Sequence, residues 1–310
     1  MKKNILDSLA NKNTLPTIKR RKNKSTQIMA WLFILPTIVF LYITMWRPVF
    51  MGTYYSLFKL RGYTPVEFVG LDNYIKVITD TNFVKALINT IKYVLWELLL
   101  GFVPPVFVAI MLNEIRKGHK MLKFAIYFPT IVPGIVTAMM WRLMYEPNVG
   151  GLINNLLGHI GIEPQPFLNS PKAVIFWICV SMAWSGIGGK MVYYLAGLQG
   201  INSELYEAAS IEGAGIFRRM WYITLPQMSG ILFLFIIRMI ISVFQVMEVP
   251  LTMTDGGPNG ASISLGLQSY RYAFENFKVE YALALGMIQF FLLIGITLFY
   301  FRIQKKIDTE

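Results

Sequence analysis

The 310-residue chain is poor in charged residues and contains one cysteine. Asp, Glu, Lys and Arg together make up 15% of the sequence, whereas a soluble domain carries about 25%. Because 55% of the residues are hydrophobic, a water-soluble fold would have too little polar surface, which argues against a soluble enzyme and against a disordered regulator. Cys179 is the single cysteine, so no disulfide can form within the chain and a secreted disulfide scaffold is excluded.

The sequence also lacks the groupings of side chains that catalysis or metal binding needs. The two histidines, His119 and His159, fall in different loops between apolar runs. Ser185 has no histidine at its depth, although a serine nucleophile needs a base beside it. Residues 186–191 partly match a phosphate-binding loop, but a tryptophan occupies its first glycine position and a methionine replaces the residue that would bind magnesium. We therefore expect no catalytic residue, no metal site and no ATP bound through this loop.

What the sequence has instead is a series of long apolar runs. They cover residues 28–51, 86–112, 122–145, 173–198, 230–253 and 281–301. A run of this length can cross a hydrocarbon core of about 30 Å as a helix. The prediction is an all-α, polytopic membrane protein with six transmembrane helices over residues 28–301.

The basic residues predict the orientation of these helices. The net charge is +12, from 29 Lys and Arg against 17 Asp and Glu. Lysine and arginine concentrate in the tail 1–27, in the loop after the second span, in the loop 199–229 and in the tail 302–310. All four segments fall on one side of a six-span topology, and the positive-inside rule makes that side cytoplasmic.

Both termini are therefore predicted to be cytoplasmic, and the basic excess gives no reason to expect a nucleic-acid partner. The N-terminal tail is polar and is not followed by a small-residue cleavage site, so we expect no cleavable signal peptide. The tail either attracts anionic membrane lipid or only determines topology.

Polar residues inside the spans are candidates for a solute path, because each is costly in lipid. Arg238, Gln245 and Glu248 are spaced seven and three residues apart in the fifth span, which predicts a shared polar face for a hydroxyl-rich solute. Trp184 and Tyr193 could stack on the rings of such a solute. The alternative is that Arg238 and Glu248 reach opposite membrane interfaces and that the two aromatic residues belong to the core or the interface.

Three further features of the spans and loops predict local structure. Lys92 and Lys190 are expected to extend their amines to the membrane interface. Prolines at 104 and 105, and at 129 and 133, predict interruptions of the second and third spans, which favours a transport core over a simple anchor. Between residues 150 and 161, apolar residues recur at the spacing of an amphipathic helix, which lies either along the outer membrane surface or against its own bundle.

The loop between the fourth and fifth spans carries the most specific pattern. Asn202 or Ser203 can cap a helix with glutamates in its first turns, and Gly213 can end that helix with a positive φ. A second short helix is predicted over 216–223, and Pro226 marks the turn into the fifth span. Two short helices with exposed aromatic residues indicate a docking element; the alternative is a hairpin packed against its own bundle.

This loop resembles the EAA loop of ABC importer permeases, whose pattern is E-A-A-x-x-D-G-A, about nine residues, then I-x-L-P. The matching positions are Glu207, Ala208, Ala209, Gly213, Ala214, Ile223, Leu225 and Pro226. Glu212 stands where aspartate is usual and keeps the charge. The resemblance implies that residues 199–229, including Phe217, form the contact with an ATPase.

Other segments resemble the carbohydrate-uptake branch of the same family. Residues 194–201, 254–260 and 272–274 are similar to the maltose- and glycerol-phosphate-type permeases, in particular to the permease that carries a Gly-Gly-Pro loop. The resemblance implies four kinds of partner: a second, homologous permease subunit, two ABC ATPase subunits, an extracytoplasmic sugar-binding protein and the lipid of a prokaryotic cell membrane.

The resemblance also implies roles for this chain's own loops. The external loop 254–281, with Gly256, Gly257 and Pro258, would face the binding protein. ATP and magnesium would be held by the ATPase, so that this chain would bind no cofactor and catalyse no reaction. It would form half of a translocation path for a sugar or an oligosaccharide.

Two other functions remain open from the sequence. A permease of the same superfamily for another solute, such as phosphate, a peptide or sulfate, would share the EAA loop. A membrane enzyme or an ATP-independent channel would share the apolar spans but would not need such a loop.

Overall fold

The computed structural model describes residues 24–115, 118–148 and 150–307. The predicted tail 1–27 therefore lies largely outside the described residues. At the other end, residues 302–307 were predicted as tail but continue the last helix.

The chain divides into two units, with the boundary between Gly52 and Thr53. In the first unit the described backbone is helical: α1 (Lys24–Leu41), a π-helical turn (Tyr42–Trp46) and most of α2 (Arg47–Tyr55). Its large apolar side chains are exposed on all sides, which is typical of a helix surrounded by lipid or by partner helices.

The second unit begins with the end of α2 and continues with a β-hairpin of β1 (Phe58–Arg61) and β2 (Thr64–Phe68). Among its described residues, the other regular elements are helices. Its α-helices are α3 (Asp72–Thr79), α4 (Thr81–Trp96), α5 (Val103–Glu114), α6 (His119–Ile131), α7 (Gly134–Met144), α8 (Leu152–His159), α9 (Val174–Leu198), α10 (Ser203–Ile211), α11 (Ile216–Arg219), α12 (Leu225–Gln227), α13 (Ser229–Phe244), α14 (Glu248–Thr254), α15 (Leu265–Tyr270) and α16 (Val279–Ile307). Shorter turns are π-helical at Glu97–Phe102, Met220–Thr224 and Arg271–Glu275, and 3₁₀-helical at Phe167–Asn169.

Four helices in the described part of the chain are long and apolar enough to cross a membrane alone. They are Ile28–Tyr55, Thr81–Glu114, Val174–Leu198 and Val279–Gln304. Two further spans exist if each bent pair counts as one: α6 with α7, bent by 94°, and the segment Ile216–Gln227 with α13, bent by 72°. Length and composition therefore give four to six spans.

The β-hairpin corrects the prediction of a purely helical chain. The strands pair antiparallel, with Phe58 opposite Phe68 and Arg61 opposite Thr64. Gly62 has a φ of +64° in the two-residue turn, a conformation that favours glycine at the tight turn of a hairpin. The hairpin lies between the first and second long helices, in a loop too short to give a clear alternating signal.

The prolines of the second span do not interrupt it, contrary to the prediction. The helix runs without a break from Thr81 to Glu114, and Pro104 and Pro105 lie in the first turn of α5, directly after the π-helical turn Glu97–Phe102. A proline lacks the amide hydrogen that the interior of a helix uses, and the π-helical turn directly before these prolines accommodates that loss within a continuous helix. In the third span the predicted interruption is confirmed at Pro133, where Val132 is extended and the helix bends, as expected for a residue before proline.

The predicted fifth span, 230–253, is two helices. Helix α13 ends at Phe244, the backbone leaves the helix at Gln245–Met247, and α14 starts at Glu248. The prediction that Arg238, Gln245 and Glu248 share one helical face is therefore wrong, because the helix on which the spacing was counted stops before Gln245.

Three apolar clusters hold the second unit together, and one of them matters for the site. This cluster, here named the hairpin core, consists of Val106, Ala109, Ile110, Leu112, Met191, Tyr194, Leu195, Leu198, Met220 and Met228. It joins α5 and α9 to the segment after α10. Another cluster receives Ile153 and Leu157 of α8, so the predicted amphipathic helix packs on its own bundle, with Leu156 and Ile160 exposed.

A coupling hairpin and a central cavity

The first helix of the 199–229 loop begins and ends as its sequence predicts. Asn202 is the N-cap, and its side-chain oxygen accepts a hydrogen bond from the Glu204 amide at 3.0 Å. Gly213 has a φ of +76°, the Ala214 amide donates to the Ala209 carbonyl at 2.9 Å, and the Gly213 amide donates to the Ser210 carbonyl at 3.1 Å. These two bonds form a Schellman motif, which closes the helix and reverses the chain.

The segment after Gly213 returns beside this helix, and the two are joined by polar contacts. Arg219 donates to the Ser210 hydroxyl at 3.2 Å and forms an ion pair with Glu114 of α5, also at 3.2 Å. The Tyr206 and Thr224 hydroxyls lie 3.0 Å apart. Residues 202–227 are here named the coupling hairpin, after the role that their pattern predicts. Arg219 joins them to the end of the long helix Thr81–Glu114, in addition to the apolar contacts of Met220 in the hairpin core.

The two sides of the coupling hairpin differ in exposure. Met220 and Thr224 are buried. Met220 belongs to the hairpin core, whereas the Thr224 hydroxyl lies against the Tyr206 hydroxyl. Ile211, Ile216, Phe217, Trp221 and Tyr222 are exposed, Phe217 by 74% and Ile211 by 88%. Several large apolar side chains exposed between residues 211 and 222 are typical of an interaction surface. Glu207 and Ala208 are exposed as well, and Ala209 and Ala214 are half-buried.

A cavity of about 210 Å³ lies between the long helices, above the hairpin core. Its walls are Gly101, Phe102, Lys190, Tyr193, Tyr194, Phe235, Arg238, Met239 and Ser242. We name it the central cavity. Of the predicted solute-path residues it contains Tyr193 and Arg238, and the Arg238 guanidinium lies 5.9 Å from the centre of the Tyr193 ring, within the range of a cation–π contact.

Beside the central cavity lies Glu97, a residue that the sequence analysis did not single out. Lys190 does not extend to an interface as predicted, because its amine pairs with the Glu97 carboxylate at 3.1 Å. The Glu97 side chain is only 3% exposed. Gly101, one helical turn further on, makes room for this pair, since a Cβ there would lie 2.0 Å from the Glu97 carboxylate and 2.8 Å from the Lys190 amine. The sequence contains one signal for this pair: a glutamate and a lysine lie in two different apolar runs, where an unpaired charge is costly.

The remaining predicted solute-path residues lie outside the central cavity. Trp184 packs edge-on against Trp141 of α7, with the ring centres 5.7 Å apart. Glu248 lies beside Gly134 at the bend of the third span, where an added Cβ would meet its carboxylate at 3.2 Å. Gln245 lines a separate, apolar cavity against α16. The structure therefore brings two of the five residues together. Of the other three, Trp184 lies on α9, Glu248 lies at the bend of the third span and Gln245 lies at the break of the fifth.

The loop 254–281 is more buried than a free external loop would be. Asn89 of α4 donates to the carbonyls of Gly260 and Ile263 at 2.9 and 3.1 Å, and the Tyr93 hydroxyl donates to the Ser262 carbonyl at 3.0 Å. The Thr90 hydroxyl accepts from the Leu265 amide at 3.0 Å. The loop is thus held on α4 by side chains that cap its backbone.

The Gly-Gly-Pro part of this loop lies at its accessible edge. Gly256 is buried and has a φ of +71°, whereas Gly257 and Pro258 line a second cavity of about 340 Å³ together with Arg142 and Glu146. Further along, Tyr272 donates to the Asp80 carboxylate. Burial first, and then this bond, raise the pKa of Tyr272 far above its usual range, so that its hydroxyl stays protonated and remains a donor.

Comparison with known proteins agrees with this architecture. The chain is 31% identical over 295 residues to the trehalose/maltose transport system permease protein MalF of Thermococcus litoralis, covering 94% of this chain and 98% of the relative. It is 28% identical over 290 residues to the sn-glycerol-3-phosphate transport system permease protein UgpA of Yersinia pestis, covering 93% and 98%.

A solved structure gives the same fold. It is a chain of a bacterial alginate ABC transporter in complex with alginate pentasaccharide-bound periplasmic protein, with a TM-score of 0.79 at 23% identity, covering 91% of this chain and 96% of that one. Residues 101–309 match the family described as the inner membrane component of binding-protein-dependent transport systems. The resemblance inferred from the EAA pattern is confirmed, and this chain belongs to that family.

Proposed function

We propose that this chain is one permease subunit of an ATP-driven importer for a sugar or an oligosaccharide, in the cell membrane of a prokaryote. The coupling hairpin is the observation that carries the proposal, because it presents an exposed apolar surface on a rigid, twice-capped support. The relatives named for trehalose/maltose and for glycerol phosphate support a polyhydroxylated substrate. Each bent pair would be one span, which gives six spans with both termini in the cytoplasm, as the distribution of lysine and arginine requires.

In this proposal the coupling hairpin binds one of two separate ABC ATPase subunits, which hold ATP and magnesium. Glu207, Ala208 and Phe217 lie on its exposed surface. Its buried side shares the hairpin core with Tyr194, which also lines the central cavity. A movement of the ATPase would thus be transmitted to the cavity wall through directly packed side chains, as coupling between two sites requires.

The proposal places a second, homologous permease and an extracytoplasmic binding protein around the rest of the chain. Exposed apolar helices such as α1 would contact lipid or that second permease. Gly257 and Pro258 would face the binding protein together with the cavity that they line. The matched fold of an alginate transporter, which was solved with a periplasmic protein, supports this arrangement.

Tyr193 and Arg238 are the residues through which we propose that the chain contacts the solute. An aromatic ring beside hydrogen-bond donors is a typical wall for a sugar ring. Trp184 on α9, Gln245 at the break of the fifth span and Glu248 beside the bend of the third would serve the same path at other points. No step of the transport requires chemistry from this chain.

Gly213→Pro in the reconstituted importer tests the function. Proline cannot adopt the φ of +76° at this position and lacks the amide that bonds to Ser210, so the hairpin cannot close. We expect loss of ATP-dependent uptake of labelled maltose and other oligosaccharides into proteoliposomes, and loss of the ATPase on co-purification. Gly213→Asn is the matched control, because asparagine tolerates this conformation. Full uptake with Gly213→Pro would overturn the assignment.

A solute of another class is the alternative that the relatives favour, since one of them is named for sn-glycerol-3-phosphate transport. A thermal-shift screen of the associated binding protein against sugars, glycerol phosphates, phosphate, sulfate and peptides separates these solutes. A membrane enzyme or a channel would show solute conversion, or uptake that continues without ATP.

A further inference from the structure

Three charged residues meet at the central cavity. Lys190 and Arg238 line it, and Glu97 reaches Lys190 from the next helix at 3.1 Å. The charges of Lys190 and Glu97 cancel each other, so that the cavity has a net charge of one positive unit, located on Arg238. The other lining residues are uncharged: aromatic, apolar, glycine and one serine.

Lys190 is held in place by its ion pair with Glu97, which neutralises its charge. Its partner Glu97 is almost fully buried, and a buried carboxylate that lost its partner would be strongly destabilising. The Gly101 position shows the same tight fit, since even a methyl group there would displace the pair. The pair therefore works as a fixed, neutral part of the cavity wall.

Arg238 is in the opposite situation. Among the described residues it forms no ion pair. Its guanidinium carbon lies 5.9 Å from the centre of the Tyr193 ring. It lies nine residues into α13, about 14 Å from the start of that helix. An arginine at such a depth is costly unless it faces water or a partner. Arg238 is exposed and lines the cavity.

We propose that the central cavity recognises a negatively charged group on a polyhydroxylated solute, and that Arg238 is the residue that selects it. This inference rests on the proposed function and names the class of its substrate. A guanidinium binds a carboxylate or a phosphate with two parallel hydrogen bonds, so a uronic acid or a sugar phosphate would fit. Tyr193 holds the guanidinium from one side, and Ser242 adds a hydroxyl for the ring of the solute.

The size of the cavity agrees with recognition of one group. Its volume of about 210 Å³ is below the roughly 300–1,000 Å³ of pockets that enclose a whole drug-sized ligand. One charged sugar unit would occupy it, and the rest of an oligosaccharide would extend along the path beyond this chain's cavity. The selection would therefore depend on charge at one position and not on the length of the chain of sugars.

The test is equilibrium binding to the complete importer in nanodiscs of neutral lipid, without the binding protein. The probes are labelled digalacturonate, its carboxyl-reduced neutral counterpart and glycerol 3-phosphate. For the wild-type importer we expect tighter binding of at least one anionic probe than of the neutral one. Arg238→Gln should weaken that anionic binding by about tenfold or more, and should change binding of the neutral sugar by less than about twofold.

Three further variants and conditions sharpen the result. Arg238→Lys keeps the charge but loses the paired hydrogen bonds, so we expect an intermediate loss. Lys92→Gln, which removes a lysine of α4 outside the cavity lining, is the matched control and should leave anionic binding unchanged. Raised salt should weaken binding of the anionic probe to wild type and not of the neutral one. Because Cys179 is buried, the temperature at which it becomes accessible to alkylation shows whether each variant is folded.

Several outcomes would overturn the charge selection. It is overturned if the wild-type importer binds the neutral and the anionic probes equally well, or binds no probe at all. It is also overturned if Arg238→Gln weakens binding of the neutral and the anionic probes to the same extent. Anionic lipid in the nanodiscs that displaces the solute probe would assign the cavity to a lipid headgroup. In each of these cases, ATP-dependent uptake of neutral sugar would still support the proposed function. The Gly213→Pro variant tests that function and does not test the charge selection.

Discussion

Two ion pairs start from the same long helix and lie in very different surroundings. Glu97 and Glu114 are about 25 Å apart along the helix Thr81–Glu114, and each pairs with a cation on a different element. Glu97 is 3% exposed, and its partner Lys190 is 32% exposed. Glu114 is 29% exposed and its partner Arg219 is 18% exposed. One carboxylate is enclosed and the other remains in contact with solvent.

The difference indicates what each pair does. The Glu97–Lys190 pair is enclosed by Gly101 and the π-helical turn, so separating it would leave a buried charge without a partner. The Glu114–Arg219 pair also involves the Ser210 hydroxyl, lies at the base of the coupling hairpin and is partly exposed to solvent on the Glu114 side. The first pair fixes the cavity wall, and the second joins the hairpin to the end of the long helix.

Replacing Lys190 by methionine should produce the largest loss of stability. Methionine has a similar length but leaves the Glu97 carboxylate buried and unpaired, at a cost of about 3 kcal/mol. The measurement is thermal unfolding of the assembled importer, followed by alkylation of Cys179, which is buried and is the single cysteine of the chain. We expect the midpoint to fall by several degrees.

The double variant Glu97→Gln with Lys190→Met is the control for this prediction. It removes both charges together, and replacement of a buried ion pair by neutral groups is often tolerated. Most of the lost stability should return. If the double variant were as unstable as Lys190→Met alone, packing of the lysine stem and not the ion pair would explain the loss.

Gly101→Ala should have the next largest effect, a net loss of about 1 kcal/mol after the helix propensity that alanine gains over glycine. The added methyl group would overlap the Glu97 carboxylate, and overpacking in a close-fitted interior costs about 1–3 kcal/mol. Gly295→Ala in α16 is the matched control, because nothing lies within 4 Å of its added Cβ, and alanine favours a helix over glycine. An unchanged unfolding midpoint for Gly101→Ala would show that the pair has room to move.

Part of this architecture follows directly from the sequence, because it depends on neighbouring residues. Asn202 and Gly213 cap the first helix of the coupling hairpin by contacts within six residues, so local rules were sufficient. Pro133 breaks the third span for an equally local reason. The fold family and the coupling hairpin could therefore be inferred from the sequence alone.

The features that the sequence did not predict depend on contacts between distant segments. Glu97 and Lys190 are 93 residues apart, and Asn89 bonds to a loop 171 residues away. The sequence analysis expected Lys190 to reach the membrane interface, because its partner Glu97 lies on another helix and is not visible from the local sequence. The end of α13 at Phe244 was missed since an unbroken apolar run contains no signal for a three-residue break.

Glu114→Gln should have the smallest effect on stability and a clear effect on coupling. The pair is partly exposed, and such pairs contribute at most about 1 kcal/mol, so the midpoint of Cys179 alkylation should stay close to that of wild type. Because the hairpin is fixed to the long helix through Arg219, we expect ATP hydrolysis to continue while uptake per ATP falls several-fold in proteoliposomes. Unchanged uptake per ATP would show that the hairpin core alone transmits the movement, and the two pairs would then differ in exposure but not in function.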